Sequence, residues 1–196
     1  MTARVVYQPC SDDTARKNLQ TTILNPVQLS EVEDLLEPEL RAELHSAYPD
    51  GKLFIWGLAS PRTRNAWLTM EPGDTVIFNT KAVVTVSACF THRTHNRDLA
   101  LKLWGWADAS SGITWENIYF VTDVRHHAIR FKSIQAHIGS QHDRPSIDTT
   151  RSRAQRSLKV LQSLTTTTAT TTSPWRMPVM TSKTNLLTES RTVPLD

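Results

Sequence analysis

Two stretches rich in β-branched residues, Thr75–Phe78 and Val83–Phe90, flank the short link Asn79–Lys81. Branching at Cβ favours the pleated backbone, and a link this short only allows the two strands to run antiparallel. A β-hairpin is therefore expected at the centre of the chain, and the flanking segments must pack around it. Leu53–Trp56 before it and Trp115–Val124 after it read as further strands, and Arg4–Gln8 as a short opening one. Between them lie helical signals. Ala15–Leu24 precedes Pro26. Ser30 and Glu33 have capping-box spacing ahead of a helix Glu31–Leu36. Pro38 fits the first turn of a helix ending near Ala47. Asn96 can cap a helix Arg97–Trp104, with Gly105 as its stop. Gly57–Asn65 and Thr91–Arg97 read as polar loops, Ala66–Met70 as a helical turn, and Glu71–Asp74 and Ala109–Gly112 as turns. The expected class is α+β, a small open β-barrel or curved sheet with flanking helices and an N-terminal helical leader.

The 196 residues divide into four expected segments. Residues 1–50 form the helical leader, 51–135 the core domain, 136–164 a weakly patterned C-terminal part with a helix at Ser157–Leu164, and 165–196 a disordered tail. Seven of the eight residues Thr165–Thr172 are threonine, which builds no core. No apolar run approaches the ~20 residues of a membrane helix, and Met1–Cys10 lacks a signal-peptide pattern, so a cytoplasmic location and no membrane partner are expected. The net charge of +3 is uneven. Residues 1–50 carry 4 basic and 9 acidic side chains, a balance of −5, and residues 51–135 carry 10 and 6, a balance of +4. A basic middle segment suits a polyanion.

No set of side chains converges on catalysis. Asp98, Asp108, Glu116 and Asp123 have no paired-carboxylate spacing. Cys89 and Ser140 have no evident base. Cys10 and Cys89 lack zinc or redox spacing, and Cys89 reads as core. His92, His95, His126 and His127 are accompanied by no Cys pair and no carboxylate at helical spacing. Neither an enzyme, a metal site nor a cofactor is expected.

The unusual chemistry is aromatic: five tryptophans fall between residues 56 and 115. Trp67 and Trp115 read as core. Trp56 ends a strand before a Gly and a polar loop, and Trp104 and Trp106 flank Gly105, where both rings are hard to bury. Aromatic faces stack on an extruded base and exclude water around an added methyl group. Ser60 and Asn65 could bond the base edge, and Arg62, Arg64, Arg93, Arg97 and Lys102 could neutralise phosphates.

Several segments, in order, carry a resemblance: Leu53–Gly57, Trp67–Phe78, His95-Asn96 with Leu103-Trp104-Gly105, and Gly112–Phe120. They resemble the EVE branch of the PUA-like superfamily, as fused to HNH nucleases and McrB-type GTPases in modification-dependent restriction. Val5–Asp12 and Asn25–Val27 are similar to the leader of such modules. The resemblance implies DNA with modified bases as partner, defence as the setting, and cleavage by a separate nuclease effector, since the sequence has no HNH constellation or P-loop. Comparison with YTH-type readers implies a cage of Trp56, Trp104 and Trp106. Two alternatives stand beside this one: an RNA-binding PUA-like module, and a truncated, non-functional remnant of an EVE–HNH endonuclease. The Asn79–Ala82 hairpin departs from the family in lacking a Gly.

Overall fold

The computed structural model describes residues 4–138 other than Ser60, with no side-chain description for residues 61, 62 and 135–138. Expectations for residues 139–196, including the Ser157–Leu164 helix and the disordered tail, lie outside it. Six strands form one mixed sheet: β1 Val5–Pro9, β2 Val27–Gln28, β3 Lys52–Leu58, β4 Thr75–Thr80, β5 Val83–His95 and β6 Asn117–Arg130, in the order β1-β4-β5-β6-β3-β2. β1 runs parallel to β4, and every other pair is antiparallel. β1 and β2 end the order unpaired with each other, so the sheet is not closed into a barrel. The class is α+β, as expected.

Five α-helices surround the sheet: α1 Asp13–Leu19, α2 Pro38–Ala47, α3 Pro61–Thr69, α4 Arg97–Trp104 and α5 Phe131–Ile138. Alternation along the strands sorts the core onto two faces. Trp56, Leu58, Phe78, Tyr119 and Val121 meet Leu19, Ile23 and Trp67 on one face, under α1 and α3. Leu53, Ile55, Ile118 and Phe120 point the other way, under Leu44 of α2 and Leu99 and Ala100 of α4. Further along that second face, Ile77 and Val84 pack under Phe131 and Ile134 of α5. The Trp67 indole ties α3 to the sheet by donating to the Ile118 carbonyl at 2.9 Å.

Several expectations need correction. Thr91–His95 is not a loop: β5 continues through it, paired residue by residue with β6 from His92↔Phe120 to His95↔Asn117. β6 likewise runs past Val124 to Arg130. Gly57 and Leu58 belong to β3, and Pro61 begins a helix through Ala66, so little of Gly57–Asn65 is loop. Ser30 and Glu33 form no capping box; the chain makes two 3-10 turns, Leu29–Glu31 and Glu33–Leu35, without a side-chain cap. Helix Ala15–Leu24 is present, but Gln20–Leu24 widens to a π-helix. Within it the Thr22 hydroxyl bonds the Ile55 carbonyl at 2.5 Å, fastening the wide turn to β3. The first fifty residues also supply both edge strands of the sheet. Among the described residues, no helix is long and apolar enough to cross a membrane.

Candidate nucleic-acid interface

Asn96 opens the site. Its side-chain oxygen accepts from the Leu99 amide at 2.9 Å, and its amide nitrogen donates to the Leu35 carbonyl at 2.6 Å. This cap starts α4 in a fixed direction. The helix stops at Gly105, whose φ of 75° suits glycine. The chain then makes a finger before β6. Ala107 and Asp108 amides donate to the Ile113 carbonyl at 2.9 and 3.1 Å, and the Ile113 amide returns a bond to Asp108 at 3.0 Å. Buried Thr114 anchors the base by donating to the Gly105 carbonyl at 2.7 Å. Asp108 holds the tip: its carboxylate accepts from the Ser110 amide (3.0 Å), Ser110 hydroxyl (2.7 Å) and Ser111 hydroxyl (2.5 Å). Those bonds to Ser111 and Ser110 lower its pKa to about 2.

The two tryptophans flanking Gly105 part company. Trp106 is 45% exposed, and the Arg97 guanidinium lies over its ring at 5.0 Å. Arg97 also donates to the Gly112 carbonyl at 3.1 Å, bracing the finger against α4. Trp104 turns inward, half-buried, with its ring edge-on to Trp115 at 6.4 Å between centroids. Its indole nitrogen is buried without a hydrogen-bond partner. It lies over Gly57, the only residue type at that point of β3 that leaves it room. Trp104, Trp106 and Trp115 thus share one end of the sheet, on the α4 face.

Trp56 does not join them. It precedes Gly57 on the strand and therefore projects to the opposite face, where it is 3% exposed and edge-on to Phe78. The expected three-ring cage of Trp56, Trp104 and Trp106 is not assembled, because adjacent strand residues face opposite ways. Trp56 Nε1 and the Tyr119 hydroxyl, on directly paired residues, are both buried and unpartnered.

The basic residues also separate. Arg93 Nη1 donates to the carbonyls of Trp67 (3.3 Å), Leu68 (2.9 Å) and Met70 (2.7 Å), closing the C-terminal end of α3. Its guanidinium also lies 5.7 Å from the Trp67 ring centroid. Lys102 is exposed and bonds the Glu31 carbonyl. Arg64 and Asn65 are exposed on α3. Ser60 and the Arg62 side chain lie outside the described residues. Among the described residues, Arg97 is the one expected phosphate ligand that sits beside the exposed tryptophan.

Two of the histidines find single carboxylate neighbours: His92 with Glu43 at 3.7 Å and His95 with Glu116 at 3.8 Å. Among the described residues, no three potential ligands gather as a metal site. Sequence reading missed one pair, Ser87 and His127, 40 positions apart, whose Oγ and Nε2 stand 2.7 Å apart. Burial, with help from Arg125 and His126, lowers the His127 pKa. Its Nδ1 is buried with no partner, so no third group orients it for base catalysis. Only the strand register could have revealed the pair. Cys10 is fully buried, and burial raises its thiol pKa. Cys89 is only half-buried.

The open, mixed sheet with helices on both faces is an α+β fold. Among solved structures it is similar to the N-terminal domain of Thermococcus gammatolerans McrB bound to m5C DNA, with a TM-score of 0.52 and 13% identity. That likeness covers 82% of this chain and 98% of the McrB domain. No protein-family model matches the sequence, and no curated protein does.

Proposed function

We propose that this chain is a non-catalytic reader of modified bases in DNA, acting in the cytoplasm as the recognition part of a modification-dependent restriction system. The observation that carries this reading is the exposed Trp106 ring under Arg97, beside the half-buried Trp104–Trp115 pair. A flipped base needs an aromatic face, and a phosphate needs a cation next to it; this end of the sheet offers both. The McrB domain of like fold is bound to m5C DNA, which supports the same partner here. The EVE-like segments identified in the sequence contribute Trp104, Gly105, Gly112 and Trp115 to this end. Stacking contributes ~1–3 kcal/mol per base, and burying one added methyl ~0.8 kcal/mol. Cleavage belongs to a separate nuclease effector.

The test is binding of the full chain to short duplexes carrying 5-methylcytosine, 5-hydroxymethylcytosine or N6-methyladenine, against unmodified DNA and matched RNA. A preference of about tenfold for one modification, lost in Trp106→Ala, is the expected result. Equal, salt-sensitive binding to all duplexes leaves a generic nucleic-acid module. Preference for the RNA favours an RNA-binding module, and no binding favours a remnant.

A further inference from the structure

We propose that the second half of β6 and the start of α5 form a separate surface that grips the backbone of duplex DNA, far from Trp106 and indifferent to base identity. This rests on the DNA partner proposed above and adds where the duplex runs. β6 changes character along its length. Asn117–Val121 are buried, whereas Asp123, Arg125, His126, Ala128 and Arg130 are exposed. Residues 124–138 contain Arg125, Arg130 and Lys132 and no Asp or Glu, a balance of +3 with histidine neutral. The β4–β5 turn brings exposed Lys81 to the same end: Val83 pairs with Arg130, and the Phe131 amide donates to the Ala82 carbonyl at 2.8 Å.

The described cations divide by what holds them. Arg4, Arg16 and Lys52 pair with Glu71, Asp13 and Asp50. Arg93, Arg97 and Lys102 bond backbone carbonyls. Lys81, Arg125, Arg130 and Lys132 have no carboxylate partner among the described residues, yet they are grouped. Lys17 and Arg41 share that lack but stand singly on α1 and α2. Asp123 precedes Arg125 by two, but its φ of 51° breaks the alternation that would set the two side by side. Like charges gathered without a counter-charge repel one another, and a polyanion relieves that repulsion.

Placement supports one duplex serving both ends. Ser87 lies between Val86 and Ala88 of the first face, so it projects to the second, and its direct partner Arg125 projects with it. That is the face of α4. Arg125 and Arg130 follow Asn117, the start of β6, by eight and thirteen residues. At ~3.3 Å per residue they stand about 25–45 Å along the strand from the finger. One turn of B-DNA is about 34 Å. A duplex engaged at Trp106 and laid along β6 therefore brings its next turn of backbone to these cations.

The test is titration of the full chain and two triple variants against duplexes with one central modified base. One duplex is a hairpin-closed stem of about 8 base pairs, too short to reach the cations, and the other has about 24 base pairs. Arg125→Gln/Arg130→Gln/Lys132→Gln is expected to lose about tenfold in affinity for the long duplex, and its salt slope to fall by about 2–3. Affinity for the short stem, and the ratio of modified to unmodified binding, should not change. Lys17→Gln/Arg41→Gln/Lys52→Gln removes the same charge elsewhere and is expected to leave the long-duplex affinity within about twofold. Equal losses in the two variants, equal losses on both lengths, or no loss overturn the surface, as does a loss seen only with an RNA duplex. Urea midpoints confirm that both variants fold. If the unaltered chain prefers no modification but the long-duplex loss appears, the reader function fails and the surface stands. If the preference appears without that loss, the reverse holds.

Discussion

Cζ3 of Trp104 lies 2.5 Å from the point where a β-carbon on Gly57 would stand. Trp115 approaches the same point, with its Cβ and its carbonyl oxygen each at 2.6 Å. A glycine in β3 is what lets Trp104, at the end of α4, and Trp115, just before β6, lie against the sheet. Gly57→Ala is expected to lower unfolding stability in urea by ~1–3 kcal/mol through overpacking. Adding Trp104→Leu should restore only part of this, because the Trp115 backbone remains in the way.

Asp74 fastens the start of the chain to its middle. One carboxylate oxygen accepts from the Arg4 amide and the other from the Glu71 amide, both at 2.8 Å, in a residue 2% exposed. Bonds to a charged acceptor contribute ~1.5–3 kcal/mol each. Asp74→Ala should therefore cost roughly 3–6 kcal/mol in chemical denaturation, and Asp74→Asn, which keeps one acceptor, about half of that.

The hairpin of β4 and β5 turns through Lys81 and Ala82, with φ of 47° and 63°. Positive φ at both central positions is the pattern of the primed hairpin turn, which favours Asn-Gly. The missing glycine noted in the sequence is thus a strained site. Ala82→Gly is expected to raise stability by ~1 kcal/mol, the scale of the left-handed penalty for a residue with a β-carbon. The Phe131 amide bond to the Ala82 carbonyl at 2.8 Å is unaffected by the change. A higher urea midpoint with an unchanged slope is the signature to look for.

Acid should loosen the finger late. Ser111 and Ser110 hold the Asp108 pKa at about 2, below its ordinary 3.8. A depressed carboxyl pKa gives stabilisation that is complete above 3.8 and lost as pH falls through about 2. The Asp108 carboxyl resonance is expected to titrate near the lower value by NMR. In Ser110→Ala/Ser111→Ala its midpoint should move up toward the ordinary one.

The strands were legible where side chains carry their own preference, as in Thr75–Phe78 and Val83–Phe90. They were not legible at Thr91–His95 or past Val124, where histidine, arginine and threonine are held extended by the partner strand rather than by propensity. Pro61 was the available signal for α3, as Pro38 was for α2. The reasoning that two rings cannot both be buried around Gly105 matched the outcome, with Trp106 out and Trp104 half in. The resemblance to YTH-type readers grouped Trp56 with Trp104 and Trp106, but alternation along β3 sends Trp56 to the opposite face. Position 57 was the clue, since a glycine there marks the face that approaches other elements. Arg93 could not be separated from the other arginines, because the carbonyls it caps lie about 25 residues away in sequence.

β1 has its partner β4 some seventy residues downstream, with Val5 paired to Thr75. On a ribosome the opening strand therefore emerges long before anything exists for it to pair with. Val5, Val6 and Tyr7, each under 7% exposed once folded, stay uncovered until β4 and α5 have been made. Contacts this distant in sequence slow folding and lengthen the interval in which an apolar edge can meet another chain. Val5, Val6 and Tyr7 are thus synthesised well before the residues that shelter them.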